Sequence, residues 1–460
     1  MPGFLDWLQR IPGFLDWRWD VSPLPLPAYR GYYVWPAAPV RSNLTVVLLT
    51  EEGTYFGATP WPESTKSKDN ISCAGPGKER ILVVRRRTAS APPTVPHAEA
   101  HLRIIHSPDS QSRSHVATLR ASPKDVLVHY NLESPLMFPA DLDDEYVGLF
   151  DLHKGYHRRR ATAWRPYFGS LSRQLTWVRR PSIRIKFAQR QKSRLLVTAV
   201  SNCQDYMGRK PFLEGLRAEM GDQFINLGRC VPSGRDKRQA IGRNMEDKER
   251  EFISKGFFYL ALENANCEDY VTEKLDRALL SGAVPVVFDA PQNLAGGPDG
   301  SRIPGYHKLL PPGTYVNVAD FPNVSTLVAH LRRVASNETL YSAYLWPRGV
   351  STEEILRRWP ESKDFDNGPA RYEASECKLA RAAVARLRAA AESGVAPPRL
   401  APDHSCLPPG QLCHFLPKDT CTPGSVADRV PPEMRTRPAK GRRSQPHLAH
   451  PLVSHRFGRK

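Results

Sequence analysis

Residues 257–288, FFYLALENANCEDYVTEKLDRALLSGAVPVVF, decide the fold. The apolar run at 257–263 predicts a buried strand, because it is short, continuous and rich in aromatic residues. Residues 270–281 predict a helix, since their apolar side chains recur at helical spacing. A second apolar run at 283–288 predicts another buried strand. A strand, a helix and a strand in succession favour a parallel sheet.

The same alternation extends to both sides of this unit. Upstream, residues 194–200 predict a strand and residues 211–220 predict a short helix. Downstream, residues 325–334 predict a helix with one apolar face. Strands that alternate with helices favour a doubly wound α/β sheet, which binds ligands at the carboxyl ends of its strands.

The first half of the chain also contains apolar strands, at 44–50, 81–84 and 125–129, separated by Ser-, Pro- and Arg-rich segments. These strands predict a first α/β domain with long loops. The chain is therefore expected to have four parts. They are an irregular N-terminal segment at 1–40 that contains the repeat PGFLDW, a first α/β domain at 41–185, a second α/β domain at 186–396, and a disordered Pro/Arg-rich tail at 397–460.

Polar residues cluster where the strand at 257–263 ends and the next helix begins. Thr272, Glu273 and Lys274 lie at or near the first helical turn, where free N–H groups and the helix dipole favour a phosphate. Lys274 adds a full positive charge, and Glu273 can accept hydrogen bonds from ribose hydroxyls. An ordinary capped helix with exposed charges is the simpler interpretation of these three residues alone.

A second strand of the same predicted sheet also ends in polar residues. Ser201 and Asn202 follow the strand at 194–200, and Arg209 comes a few residues later in the chain. Ligands of such sheets bind at the carboxyl ends of the strands, so two polar ends in one sheet favour a shared site. The sequence therefore predicts a nucleotide site at this edge.

Four stretches resemble the α1,3-fucosyltransferases of glycosyltransferase family 10, within roughly residues 120–380. FFYLALEN at 257–264 with DYVTEK at 269–274 resembles the donor-binding motif of that family, and AVPVV at 283–287 resembles the strand that follows it. VSNC at 200–203, with Arg209, is similar to the segment that opens the donor domain. Glu133-Ser-Pro resembles the acceptor-side motif.

This resemblance implies a GT-B architecture, in which two Rossmann-like domains face a cleft. The first domain would hold a glycan acceptor and the second would hold GDP-fucose. The resemblance also implies that Glu133 is the catalytic base. Eight residues are candidate donor ligands, five by resemblance and three by their position at the strand ends: Arg209, Asn264, Tyr270, Glu273 and Lys274, then Ser201, Asn202 and Thr272.

The reaction implied by the resemblance inverts configuration, because fucose leaves a β-linked diphosphate and arrives α-linked. A single displacement needs one carboxylate to accept the proton of the acceptor hydroxyl, which is the role expected for Glu133. It also needs positive charge on the departing diphosphate. Arg209 and Lys274 can supply that charge. No metal or other cofactor is therefore expected to be obligatory, and a divalent cation is expected to be stimulatory at most.

Several features depart from the family pattern, among them two in the first domain and at the end of the catalytic part. The segment FDLHKGYHRRR at 150–160 lacks the Asp-Ser element that usually follows the acceptor-side motif, and a closing CxxC pair is reduced to Cys377. The acceptor therefore stays open between N-acetyllactosamine, the N-glycan core and another sugar, with O3 of GlcNAc as the expected position. The alternative is that the chain is a GT-B homologue that binds glycans and either is catalytically silent or uses another donor.

The formal net charge of +18 permits a nucleic-acid partner. The sequence contains no zinc-finger, RNA-recognition or basic-zipper pattern, so such a partner is not expected. The partners expected are GDP-fucose and a glycan on a glycoprotein or oligosaccharide.

Eight cysteines and four N-glycosylation triplets, at Asn43, Asn70, Asn323 and Asn337, favour the secretory lumen. The sequence leaves the disulfide connectivity open. No run of 18 apolar residues predicts a membrane span, and the first 20 residues lack a signal-peptide pattern. A Golgi location and an association with the membrane are implied by the resemblance alone.

Overall fold

The computed structural model contains two sheets and the helices that flank them. The PGFLDW repeat and the predicted tail beyond Cys421 lie outside the residues it describes. The described residues are 43–50, 70–76, 80–87, 98–110, 112–120, 125–165, 167, 171–203, 206–231, 245–291, 302–365, 375–393, 400–403, 405–407, 409–417, 420 and 421.

Strands and helices are numbered in chain order within those residues. The strands are β1 (Asn43–Thr50), β2 (Asn70–Ala74), β3 (Arg80–Arg87), β4 (Ala98–His106), β5 (Asp125–Asn131), β6 (Leu152–Gly155), β7 (Ala163–Trp164), β8 (Leu196–Thr198), β9 (Phe224–Asn226), β10 (Phe258–Leu260), β11 (Val284–Val287), β12 (Ala290–Pro291), β13 (Arg302–Ile303) and β14 (Val316–Asn317). The α-helices are α1 (Arg113–Thr118), α2 (Asp144–Val147), α3 (Leu171–Arg179), α4 (Arg209–Met220), α5 (Met245–Ser254), α6 (Glu273–Ser281), α7 (Tyr306–Leu309), α8 (Val324–Ala335), α9 (Glu338–Ala343), α10 (Thr352–Arg358) and α11 (Ser375–Ser393). None of these described helices is both long enough and apolar enough to cross a membrane.

The first sheet has the strand order β2-β3-β1-β4-β5-β6-β7. All its neighbouring strands are parallel except β2 and β3, which are antiparallel. The strands predicted in the first half of the chain are confirmed as β1, β3 and β5. The sequence did not predict β4, because His101 and Arg103 interrupt its apolar residues. Both side chains lie beside the buried Asp125 of β5, so their polar groups are accommodated within the sheet.

The second sheet is parallel throughout and has the order β14-β11-β10-β8-β9. Phe258 and Leu260 of β10 pack into the core on one face of this sheet, and Tyr259 packs into the core on the other. Burial on both faces explains why the sequence of β10 is a continuous apolar run. Two units confirm the predicted α/β fold class: a first unit built on the sheet of β1–β7 and a second unit built on the sheet of β8–β11 and β14.

Helix α11 belongs to the first sheet, although the predicted boundary at 396 assigned it to the second domain. Leu379, Ala380 and Ala383 share one core with Leu102 of β4, and a disulfide joins Cys73 to Cys377. The small alanine side chains allow the helix to approach the sheet closely. Sequence order alone assigned α11 to its neighbours in the chain, so the prediction missed this return.

Part of the segment after 397 is built into the second unit. Leu407, Leu412 and Phe415 lie in its core. Disulfides join Cys267 to Cys406 and Cys413 to Cys421. With the remaining pairs, Cys73–Cys377 and Cys203–Cys230, all eight cysteines of the chain are paired. The apolar periodicity is lost after 397, and this loss predicted a disordered tail. The described residues between 405 and 421 instead pack in the second unit.

Candidate active site

The loop between β10 and α6 is organised by Glu263, a carboxylate that is only 2% exposed. The backbone N–H of Thr272, the residue before α6, donates to Glu263 Oε1 at 2.7 Å, and the Thr272 hydroxyl donates to both carboxylate oxygens. The Nζ of Lys274 donates to Glu263 Oε2 at 2.9 Å. Glu263 thus accepts hydrogen bonds from the residue that precedes α6 and also holds the ammonium group of Lys274 in the first turn of that helix.

This arrangement changes the interpretation of the helix start. The sequence suggested that a phosphate would receive the free N–H groups here, but the N–H of Thr272 goes to Glu263. The positive charge of Lys274 remains at the site. Burial opposes that charge, but Glu263 and Glu273 outweigh burial and raise the pKa of Lys274 above its ordinary value. Lys274 is therefore positively charged at physiological pH.

Arg209 brings the two predicted strand ends together. It is the first residue of α4 and is buried, and its guanidinium donates to the carbonyl oxygens of Asn202, at 2.7 Å, and Leu262, at 3.2 Å. The charge of Arg209 also acts on Lys274, where it lowers the pKa against the stronger effect of the carboxylates. Two cations thus lie at one edge of the second sheet.

The remaining predicted donor residues border the same edge. Ser201 is exposed, and its hydroxyl accepts a 3.4 Å hydrogen bond from the N–H of Arg229. Asn264 is buried, and its Oδ1 has no hydrogen-bond partner among the described residues. Glu273 is exposed at the first turn of α6. A buried amide oxygen without a protein partner is the kind of group that a ligand can satisfy.

Glu133 reaches this edge from the first sheet. It follows β5, and its Oε2 accepts a 2.8 Å hydrogen bond from the hydroxyl of Tyr270. The hydroxyl of Tyr167 lies 3.4 Å from Oε1, and the backbone N–H of Glu133 donates to Asn131 Oδ1 at 2.8 Å. Tyr270 is buried, with its ring 5.1 Å from that of Tyr156. The predicted base and the predicted donor motif are therefore in direct contact.

The environment of Glu133 makes its carboxylate a stronger base than an ordinary glutamate. Burial raises the pKa of Glu133, while the hydrogen bond from Tyr270 and the charge of Lys274 lower it in part. The net shift is upward. A carboxylate with a raised pKa accepts a proton more readily, which suits a general base.

A buried network supports the loop that carries Glu133. Asp141 accepts hydrogen bonds from Asn131, at 2.5 Å, and from Ser107, and lies 3.1 Å from His129 Nε2. Burial raises the pKa of Asp141, but these partners outweigh burial and keep it below its usual value. Asn131 in turn accepts from the N–H of Glu133. Asp141 therefore fixes the backbone from which Glu133 projects.

Sequence reasoning missed Glu263, Tyr167, Asn131 and Asp141. Glu263 carried a signal, because it is a carboxylate that ends an apolar strand nine residues before Thr272. Tyr167, Asn131 and Asp141 carried no such signal. Their partners either lie far away in the chain or look like ordinary loop residues, so the sequence does not reveal these contacts. Within the described part of the chain, no group of three or more His, Cys, Asp or Glu is placed to hold a metal ion.

The segment that departs from the family pattern docks on the donor motif. The backbone N–H of Arg158 donates to Asp269 Oδ2 at 2.8 Å, and the His157 ring lies 3.6 Å from the same oxygen. Asp269 has a positive φ of 62°, which turns the loop sharply just before Tyr270. The two units thus also meet at Asp269, the residue next to the hydrogen-bond partner of Glu133.

Two α/β units thus meet at this site, where the carboxylate of Glu133 from one unit contacts Tyr270 and feels the charge of Lys274 from the other. Residues 189–382 match the family described as "Glycosyltransferase family 10 (fucosyltransferase) C-term". This stretch of the chain is thus similar to the fucosyltransferases of that family.

The chain is also similar to individual proteins named as fucosyltransferases. The chain is similar to "Alpha-(1,3)-fucosyltransferase C" of Drosophila melanogaster, at 27% identity over 67% of this chain and 70% of that one. It is similar to "4-galactosyl-N-acetylglucosaminide 3-alpha-L-fucosyltransferase 9" of Mus musculus, at 29% identity over 57% of this chain and 64% of that one. A crystal structure of an α1,3-fucosyltransferase with GDP-fucose aligns with 72% of this chain and 93% of its own, at 15% identity and a TM-score of 0.36.

The pairing of Glu263 with Lys274 can be tested by its effect on stability. We expect Glu263→Gln to lower the free energy of unfolding by about 3–5 kcal/mol, because it removes the nearer and more buried of the two carboxylates that pair with the ammonium of Lys274. Chemical denaturation measures the change. Glu392→Gln, at an exposed position on α11, is the matched control and should change little. Equal stability of the two variants would contradict the role given to Glu263.

Proposed function

We propose that the chain transfers L-fucose from GDP-β-L-fucose to a glycan hydroxyl, O3 of GlcNAc, with inversion of configuration. The match of residues 189–382 to the fucosyltransferase family supports fucosyl transfer. The name of the mouse relative describes transfer to position 3 of a galactosylated N-acetylglucosamine. The observation that carries the proposal is the 2.8 Å hydrogen bond between Tyr270 and Glu133, since it places a carboxylate of the first unit against the donor motif of the second.

In the proposed reaction, Glu133 accepts the proton of the acceptor hydroxyl. The hydroxyl oxygen then forms a bond to C1 of fucose from the face opposite the diphosphate, and the bond between C1 and the diphosphate oxygen breaks. The departing GDP carries the negative charge. One displacement of this kind converts a β-linked donor into an α-linked product.

The charges of the second unit serve the departing diphosphate in this proposal. Lys274 and Arg209 stabilise the negative charge that develops on GDP. Asn264 and Tyr270 contact the donor from the β10 loop, and Glu273 accepts hydrogen bonds from the ribose. Ser201, Asn202 and Thr272 complete the rim of the donor site. No metal ion or other cofactor is obligatory in this scheme, because protein side chains supply the positive charge.

Donor recognition can be tested by thermal unfolding with nucleotides. We expect GDP and GDP-fucose to raise the melting temperature, since a ligand that binds only the folded state stabilises it, and UDP-glucose to raise it much less. Lys274→Ala should weaken the GDP effect, and Lys210→Ala, which changes an exposed cation on α4, should not. The GDP effect should persist in EDTA. An EDTA-sensitive effect that one divalent ion restores would show that a metal supplies the charge.

The role of Glu133 can be tested by Glu133→Gln, which keeps the shape of the side chain and removes the proton acceptor. We expect transfer to fall by about a hundredfold or more, the usual scale for loss of a positioned base. GDP affinity measured by calorimetry should change little. Glu214→Gln, at a carboxylate of α4 that is 54% exposed, is the control.

The pH profile gives a second readout for the same residue. Because the pKa of Glu133 is raised, Glu133 loses its charge at a higher pH than an ordinary glutamate of pKa about 4.3. Transfer by the wild-type enzyme should therefore decline on the acid side before that value is reached. A rate near wild type for Glu133→Gln would assign the base to another carboxylate, with Asp143, Asp144 and Glu145 as the next candidates.

We also infer that the chain works in the Golgi lumen. Four disulfides are consistent with an oxidising compartment. Asn323 and Asn337, at the starts of α8 and α9, are exposed, as N-glycosylation requires. Secreted protein should lose mass on treatment with a glycosidase specific for N-glycans. Absence of any mass change would remove the main support for this location.

A further inference from the structure

A cavity of about 230 Å³ opens beside Glu133 in the first unit. One of its walls comes from the C-terminal part of the chain, after residue 399. Three of the described residues 400–403 line this wall, namely Leu400, Ala401 and Asp403, and the chain continues as 405–407 to the second unit. We call these seven residues the strap. Tyr156 and Arg160, from the segment that departs from the family pattern, line the cavity together with Ala401 and Asp403 of the strap.

The strap is fixed at both of its ends. Leu400 packs against the core of the first unit beside Phe150. At the other end, Cys406 forms a disulfide with Cys267, and the N–H of Leu407 donates to the carbonyl of Asn266 at 2.7 Å. Cys267 lies three residues before Tyr270, the hydrogen-bond partner of Glu133. The position of the strap is therefore coupled to the position of the base.

Arg160 and Asp403 are the charged groups where the strap meets the first unit. The guanidinium of Arg160 donates to the carbonyls of Ala401 and, at 2.7 Å, Pro402, and its Nε lies 3.9 Å from Asp403 Oδ1. The N–H of Ser405 donates to the same oxygen of Asp403 at 3.0 Å. An ionised carboxylate offers about four acceptor positions, so Asp403 can also accept from hydroxyl groups in the cavity.

A second observation points to a ligand. Tyr156 is only 4% exposed, and its hydroxyl has no hydrogen-bond partner among the described residues. A buried hydroxyl without a partner is costly unless something satisfies it. Tyr156 lines the cavity, so a group bound there could do so.

The lining of the cavity indicates the chemistry of its occupant. Glu133, Asp141, Asp403 and Arg160 supply the charged groups that line the cavity. Burial lowers the pKa of His153 to about 3, so this ring is neutral at physiological pH. Such a lining favours a neutral molecule with several hydroxyl donors. The volume is below the ~300–1,000 Å³ of pockets for drug-sized ligands, so a single sugar ring is the fitting size.

We propose that the strap completes the site for the acceptor sugar ring, and that Asp403 and Tyr156 determine specificity by hydrogen bonding to its hydroxyls. This inference rests on the proposed function, since it places the acceptor beside Glu133. It adds that residues of the C-terminal segment select the acceptor, and that the altered segment at 150–160 serves as the surface on which the strap docks.

The experiment compares Asp403→Ala and Tyr156→Phe with wild type and with the control Asp222→Asn, at an exposed carboxylate of the second unit. Binding of N-acetyllactosamine in the presence of GDP is measured by ligand-observed NMR. The KM for this acceptor and the hydrolysis of GDP-fucose without acceptor are measured in parallel. Thermal unfolding checks that each variant is folded, and Tyr156→Phe keeps the aromatic ring that packs on Tyr270.

We expect Asp403→Ala to weaken acceptor binding and raise its KM by about tenfold or more, the scale for losing a hydrogen bond to a charged group. Tyr156→Phe should raise the KM severalfold. Hydrolysis of GDP-fucose should stay within about twofold in both, because donor binding depends on the other unit. Asp222→Asn should match wild type in every measurement.

The outcomes separate this inference from the proposed function. If wild type transfers fucose and both variants bind the acceptor as tightly as wild type, the strap does not select the acceptor. If the variants lose acceptor and donor activity together, the strap is only structural and the inference is wrong. If wild type binds the acceptor through Asp403 and Tyr156 but transfers nothing, the inference stands and the proposed function fails.

Discussion

The hydrogen bond from Tyr270 to Glu133 is the contact on which the functional arrangement depends. It joins the loop after β5 of the first sheet to the loop after β10 of the second sheet. The two residues lie 137 positions apart in the chain. Tyr270 is held by the rings of Tyr156 and Tyr167, at 5.1 and 6.3 Å, so its hydroxyl has a fixed direction. Any change that separates the two units also removes this partner from the carboxylate.

The structure supports this contact from several sides. Asp141 fixes Asn131, which fixes the backbone of Glu133. The disulfide Cys267–Cys406 ties the loop of Tyr270 to a segment that packs on both units. The Ser134 hydroxyl lies 3.3 Å from the sulfur of Cys267, so the residue after Glu133 also contacts this bridge. The geometry of the base is therefore determined by residues from three separate regions of the chain.

Features encoded by contiguous residues could be predicted from the sequence. Strands β8, β10 and β11 were predictable because burial on both faces gives each an uninterrupted apolar run, and helices α6 and α8 because one face of each is apolar. Strand β4 was missed because its polar residues lie beside Asp125, which belongs to a different strand. Helix α11 and the strap were misplaced because their partners lie hundreds of positions earlier or in another unit. The candidate site followed the same rule, since its motifs were visible but the supporting Asn131 and Asp141 were not.

The charges at the site respond differently to pH, and this difference allows a pH profile to be interpreted. Glu263 and Glu273 raise the pKa of Lys274, so Lys274 stays positive from acid to neutral pH and above. The partners of Asp141 lower its pKa, so Asp141 stays negative where an ordinary aspartate begins to be protonated. Glu133 shifts in the opposite direction, because burial favours its neutral form. On mild acidification Glu133 is therefore protonated while Lys274 and Asp141 keep their charges. A loss of transfer in that range, with GDP binding retained, identifies the proton acceptor rather than the donor site or the scaffold.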